Sequence, residues 1–164
     1  MVNLNEYGGE RDATDRTADS DGGGYRMITL RLPYPISNNL YWRTRVIKIK
    51  GKWTAMTYVS AEAKAYKEHV SWLAKAAGVK LLDCSVAMGY VLHPKLTVKG
   101  EASKTMLDLS NAIKVTEDAL NGIAYLDDKQ VKEIRASIGE PVKDGAITVT
   151  ITPIVVVAAQ AGLI

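Results

Sequence analysis

The chain has one cysteine, Cys84, and two histidines, His69 and His93, among 164 residues. A lone cysteine excludes an intramolecular disulfide and suits a reducing compartment. With two histidines beside it, no structural zinc finger can be assembled. Cys84 opens an apolar run and reads as a core residue. There is no Gly-x-x-x-x-Gly-Lys-Ser/Thr loop to cradle a nucleotide phosphate and no Gly-x-Ser-x-Gly elbow to present a nucleophilic serine. No internal repeat is found, and the N-terminus lacks the basic-then-apolar pattern of a signal peptide. The apolar tract 154–164, interrupted by Gln160, is too short to cross a bilayer. The expectation is a cytoplasmic protein with no membrane segment.

A hydrophobic content of 47% in 164 residues supports one domain with a sizeable core. Charge is unevenly spread. Residues 1–24 hold six acids against two arginines, a net −4, which leaves +7 of the formal +3 chain for residues 25–164. A moderately basic body is compatible with nucleic-acid binding, because neutralising phosphates releases counterions. The first 25 residues, rich in Asp, Thr and Gly, have little to bury and read as a disordered acidic tail. The division expected is a tail over 1–25, a folded domain over 26–153 and an apolar extension over 154–164.

Periodicity predicts an α+β fold, two helices packed on a mixed sheet. A first strand over 27–33 is stopped by Pro33 and Pro35. Segments 45–50 and 53–58 flank Gly51-Lys52 as a hairpin. Ser60 caps a helix to about Ala77 with Tyr66, Val70, Leu73 and Ala77 inward and Gly78 at its end. Residues 84–93 alternate, with Val86, Met88, Tyr90 and Leu92 on one face. A second helix over 109–121 carries Leu109, Ala112, Ile113, Thr116, Ala119 and Leu120 on its stripe and stops at Gly122. Strands near 131–138 and 146–152 close the domain.

The chemistry concentrates around that second helix. Asp108, Ser110, Asn111 and Lys114 lie at its start and on one face of its first two turns. Twelve helical residues climb about 18 Å, and six extended steps from Gly122 to Asp128 cover about 20 Å. A chain folding back would return Asp128 to the level of Asp108. Asp118, about 15 Å up the same helix, cannot share a metal ion with Asp108. Asp127 and Asp128 point to opposite faces of an extended segment, so one of them, Asp128 by preference, faces the site. Each residue has a plainer reading: Asp108 or Ser110 as a helix cap, Asp127-Asp128 as a turn, Lys114 as a solvated lysine. Their conjunction favours metal-assisted phosphodiester chemistry.

Lys95, Lys99 and Lys104 precede Asp108 on a loop and would guide a phosphate backbone toward it. Tyr41, Trp42 and Arg43 with Arg45, Lys48, Lys50 and Lys52 interleave rings and cations, a pattern suited to phosphate contact and base stacking. Trp42 and Trp53 read equally well as anchors of a hairpin. Asn38 and Asn39 read as a turn.

From Ile28 to Ile151 the chain resembles the RusA type of Holliday-junction resolvases, small homodimeric endonucleases often carried by phages. The resemblance rests on an ordered set: Ile28 to Pro35 with Ser37-Asn38-Asn39 and Tyr41-Trp42-Arg43; Val59-Ser60; Asp108 to Lys114; Asp118-Ala119-Leu120; and Tyr125 to Val131. It implies an Asp-x-Asp-Asn pattern with a lysine one turn on, matched by Asp108, Asn111 and Lys114, and a last acid matched by Asp128. Serine stands at 110 in place of the second acid. The resemblance implies Mg²⁺, with Mn²⁺ as a substitute, held by Asp108 and Asp128 with a weak Ser110 ligand, and Lys114 as a catalytic cation. Asn111 and Asp127 would support that site. Asn38, Asn39, Tyr41, Trp42, Arg43, Arg45, Lys95, Lys99 and Lys104 would contact DNA. The implied partners are four-way and other branched DNA and a second copy of the chain. Cleavage weakened by Ser110 is the expected outcome, with a catalytically silent junction-binding protein as the alternative.

Overall fold

Alternation decides the centre of the fold. In a computed structural model that describes residues 26–154, Val86, Met88, Tyr90 and Leu92 are all buried while their neighbours in sequence are half-buried. The strand they form, β4 (Ser85–His93), is flanked by the antiparallel β6 (Ala146–Ile154) and the parallel β5 (Val131–Ile138). Antiparallel β1 (Ile28–Pro33) completes a four-stranded sheet in the order β1-β6-β4-β5. This is the mixed α+β architecture that the periodicity predicts.

Two helices cover one face of the sheet. Helix α2 (Ala61–Ala76) buries Ala63, Tyr66, Val70 and Ala74, and α3 (Leu109–Leu120) buries Ala112, Val115, Thr116, Ala119 and Leu120. These side chains share one core with Leu30, Leu32, Ile147, Val149 and Ile151 of the sheet. The inward stripe of α2 ends at Ala74 rather than Ala77. Ala77 is the C-cap, exposed, with its N–H turned back to Leu73 O at 2.9 Å. On α3, Val115 takes the centre of the stripe, and Leu109 and Ile113 pack at its margin.

A separate two-stranded sheet, β2 (Trp42–Ile49) with β3 (Lys52–Val59), leaves the body as a hairpin exposed on both faces. Its turn is Lys50-Gly51 rather than Gly51-Lys52. Both residues have positive φ, 47° and 82°, the backbone that a tight two-residue hairpin turn requires. Asn38 and Asn39 form not a bare turn but the start of a one-turn helix, α1 (Asn38–Tyr41), capped by Ser37. Ile154 pairs with Ser85 and so belongs to β6. The acidic tail and the rest of the apolar extension lie outside the described residues. No helix among the described residues is long and apolar enough to cross a membrane.

Ser60 joins hairpin to helix. Its hydroxyl accepts from Ala63 N at 3.1 Å and its own N–H donates to Tyr41 O at 2.9 Å, in a buried setting. Replacing a capping serine by alanine costs about 1 kcal/mol, and by glycine a few tenths. Urea unfolding should therefore order the proteins wild type, Ser60→Gly, Ser60→Ala, with the last lowest by about that amount.

Candidate functional site

Residues 94–130 carry the chain from β4 to β5, and every acid and lysine singled out around α3 lies on this crossover. Asp108 is the N-cap of α3 and is exposed. Its Oδ1 accepts two hydrogen bonds from Ser110, one from the backbone N–H at 2.9 Å and one from the hydroxyl at 2.7 Å. The Ser110 hydroxyl first, then its backbone N–H, holds the Asp108 carboxyl below the ordinary carboxylate range. Both bonds fall on Oδ1 and leave Oδ2 unengaged by them. Because the serine hydroxyl spends its proton on Asp108, its lone pairs face outward from that bond. Asn111 follows, half-buried, on the same turn.

Lys114 sits about 9 Å further up the helix. Its Nζ meets Asp118 Oδ1 at 3.2 Å, an exposed pair one turn apart. That hydrogen bond, then the charges of Glu117 and Asp128, push the ammonium up from its ordinary value. Glu117 is half-buried, and burial raises its carboxyl despite the nearby lysine. Lys114 thus stands among Asp118, Glu117 and Asp128. No hydrogen bond or ion pair joins Asp108 to Lys114 or to Asp128 among the described residues.

The return from α3 is not the extended path expected from the sequence. Gly122, with φ 77°, lets the chain turn at once: Gly122 N donates to Tyr125 O at 2.8 Å, and Asn121 bridges to Tyr125. Tyr125 is buried, and its hydroxyl donates to Glu117 O at 3.1 Å. From this turn the charge of Asp128 acts on Lys114 and Glu117 of α3. Asp127 caps the 3₁₀ turn Asp128–Gln130, its carboxylate accepting from Lys129 N at 2.8 Å, and that bond lowers its pKa. Asp128 is exposed as the first residue of that turn.

Gln130 fastens this segment to the sheet. Its Oε1 accepts from Leu126 N at 2.6 Å and Asp127 N at 2.9 Å, while its Nε2 donates to Leu82 O at 3.0 Å and Cys84 O at 2.7 Å. One side chain satisfies four backbone groups on two segments.

Lys95, Lys99 and Lys104 are exposed on the loop before α3. The loop is ordered by its own bonds: Leu96 bridges to Ala102, Ser103 N donates to Lys95 O at 2.8 Å, and Leu107 N donates to Tyr34 Oη at 3.0 Å. The Lys95 ammonium lies 5.2 Å from the Tyr34 ring centre. On the hairpin, Trp42 and Trp53 are exposed, Arg45 lies 5.5 Å from the Tyr58 ring and Lys48 lies 5.7 Å from the Trp53 ring. Arg43 reaches Glu62 at 3.7 Å. Tyr41, expected on the DNA-facing surface, is buried instead, and desolvation followed by the charge of Asp118 raises its pKa. It anchors α1 against α3, leaving exposed Trp42 and Asn39 and half-buried Asn38 at the surface.

Residues 33–152 match the family described as endodeoxyribonuclease RusA. The crossover junction endodeoxyribonuclease RusA of Escherichia coli (strain K12) is 33% identical over 125 residues, 76% of this chain and 92% of that protein. Its counterpart from Enterobacteria phage 82 is 32% identical over 124 residues, 75% of this chain and 92% of the phage protein. The chain belongs to the RusA family. The matched segment takes in the hairpin, α2 and the whole crossover, so the acids, lysines and exposed rings all lie on the RusA portion. Two neighbours of Lys114 in this RusA chain, Glu117 and Asp118, and Tyr125, which bonds to Glu117, are not among the site residues expected from the sequence. The spacing of Lys114 and Asp118 announces their pairing. The approach of Tyr125 depends on a tight turn that periodicity does not show.

Gln130→Leu keeps the bulk but removes the four bonds. At about 1 kcal/mol net per hydrogen bond, partly recovered by water on an exposed segment, the loss should be roughly 2 kcal/mol. Denaturant unfolding measures it, and amide exchange at Leu126 and Asp127 should accelerate more than exchange in β6.

Proposed function

We propose that this chain is a Holliday-junction resolving endonuclease that hydrolyses DNA phosphodiesters at four-way junctions in DNA recombination and repair. The reading includes a cytoplasmic location and a homodimer, since paired incisions across a symmetric junction call for two sites. The observation that carries it is Asp108: an exposed carboxylate, hydrogen-bonded by Ser110, at the start of a helix that presents Lys114 in its next turns. The names of the bacterial and phage relatives supply the substrate class.

The donor set suits a hard divalent cation, Mg²⁺ or Mn²⁺. Mg²⁺ is usually held by one or two carboxylates, with water and substrate phosphate completing its shell. Asp108 and Asp128 would hold it, and the outward lone pairs of Ser110 offer a weak neutral ligand in place of an acid. When bound, the cation would supply an activated water and polarise a phosphoryl oxygen. Lys114 would turn from Asp118 to a non-bridging phosphate oxygen and offset the charge that develops there. An exposed lysine–carboxylate pair is worth about 0–1 kcal/mol, so this exchange of partners costs little. Lys95, Lys99 and Lys104 on the loop, and Arg45 with Trp42 on the hairpin, would hold the DNA arms.

A second reading, a junction-binding protein that no longer cuts, is favoured by the hydroxyl at 110. A labelled four-way junction in Mg²⁺ or Mn²⁺ separates the two. Ser110→Asp should raise cutting at least tenfold, and Asp108→Asn should abolish it while binding stays equal or tightens. Undiminished cutting by Asp108→Asn would remove Asp108 from the reaction. Junction affinity no better than duplex affinity would sink the resolvase reading.

Binding should also fall steeply with salt, because each neutralised phosphate contributes about 0.9 to the slope of log K against log salt. Replacing Lys95, Lys99 and Lys104 with alanine should therefore lower that slope by roughly 3 in gel-shift titrations over a range of salt, if all three contact phosphate.

A further inference from the structure

β5 is an unfinished edge of the main sheet. It is hydrogen-bonded to β4 on one side only, and every residue from Lys132 to Ile138 is exposed. Its register sets Ile134, Ala136 and Ile138 beside Met88, Tyr90 and Leu92, whose side chains are in the core. Paired residues on neighbouring strands share a face, so these three lie on the helix-bearing side. The helices cover β4 there but stop short of β5: Ile134 and Ile138 remain 49% and 52% exposed. The core face of the sheet thus runs on past its cover. Edge strands are usually blunted by proline or charge, covered or made very short, and β5 has only its charges, Lys132, Glu133 and Arg135. β1, the other edge, ends at Pro33, whereas β5 has eight residues and no proline.

The charges on β5 name what could finish it. Glu133 and Arg135 lie two residues apart, bonded to each other at 2.7 Å. A second copy related by a two-fold axis would lay its β5 antiparallel to this one. For the outward N–H and C=O groups of both strands to meet, facing residues must have an even sum of numbers, since those groups alternate along a strand. Centring the pair on Glu133 or on Arg135 sets like charges face to face. Centring it on Ile134 sets each Glu133 opposite Arg135 of the second copy and brings the two Ile134 side chains together. We propose that β5 is the homodimer interface of this chain, joined in the Ile134-centred register to make one continuous sheet. This rests on the homodimer reading above and deepens it.

The full chain should sediment as a dimer at micromolar concentration. Glu133→Arg and Arg135→Glu, each placing like charges across the axis, should weaken dimerisation at least tenfold. An equimolar mixture of the two should restore a heterodimer, an outcome that the bond within one strand cannot produce. Circular dichroism serves as the folding control. In a Cys84→Ser background, Ile134→Cys should form an interchain disulfide on oxidation, because facing antiparallel Cα atoms lie about 4.5–5.5 Å apart. A monomeric wild type would overturn both this proposal and the homodimer reading. A dimer that neither charge variant weakens would overturn the interface alone, leaving the homodimer reading in place. Monomeric variants whose mixture stays monomeric, or an Ile134→Cys protein that never cross-links, would overturn the register.

Discussion

Parallel pairing of β4 and β5 is the constraint on which the rest of this molecule depends. Two parallel neighbours cannot be joined by a hairpin; the chain must cross the sheet and come back. Here the crossing takes residues 94–130 and contains the lysine loop, α3, the tight turn at Gly122 and the 3₁₀ turn. Helix α3 is held by its own buried stripe against the sheet, and its start falls where the loop from the end of β4 delivers it. The acids around Lys114 are thus placed by topology. Gln130 closes the circuit, since it bonds at once to the segment arriving from α3 and to the segment that leads into β4.

What could be read from the sequence follows from how local each signal is. The alternation of 86, 88, 90 and 92 is local, and the strand lies where it predicts. Ser60 as a cap and Asp108 at the start of α3 are equally local, because a side chain serves a backbone donor two or three residues away. The route from Gly122 to Asp128 is decided by Tyr125 burying itself against α3, a contact between segments that no spacing rule contains. Tyr41 departs from expectation for the same reason. A tyrosine beside Trp42 and Arg43 looks like a surface ring until α1 packs on α3 and takes it inside.

The electrostatics of the crossover divide it into two centres along one helix. At the N-terminal end, a hydroxyl and a backbone N–H stabilise one exposed carboxylate. One to two turns later, a lysine stands among carboxylates, and burial raises the pKa of half-buried Glu117 there. Serine at 110 belongs wholly to the first centre. A carboxylate there would bring a second negative charge beside Asp108 in place of the hydroxyl donor, so the same substitution that adds a metal ligand also removes the larger of the bonds that lower the Asp108 pKa.

The tight turn at Lys50-Gly51 has a mechanical consequence. With eight paired residues on each side, the hairpin is a ruler of about 26 Å at roughly 3.3 Å per residue. Duplex DNA rises about 3.4 Å per base pair, so the ruler spans seven or eight base pairs. Its eighteen residues, 42–59, carry five cations and no acid along that length. Under the proposed junction-binding function, a DNA branch laid along it but shorter than the ruler would leave the far cations facing water.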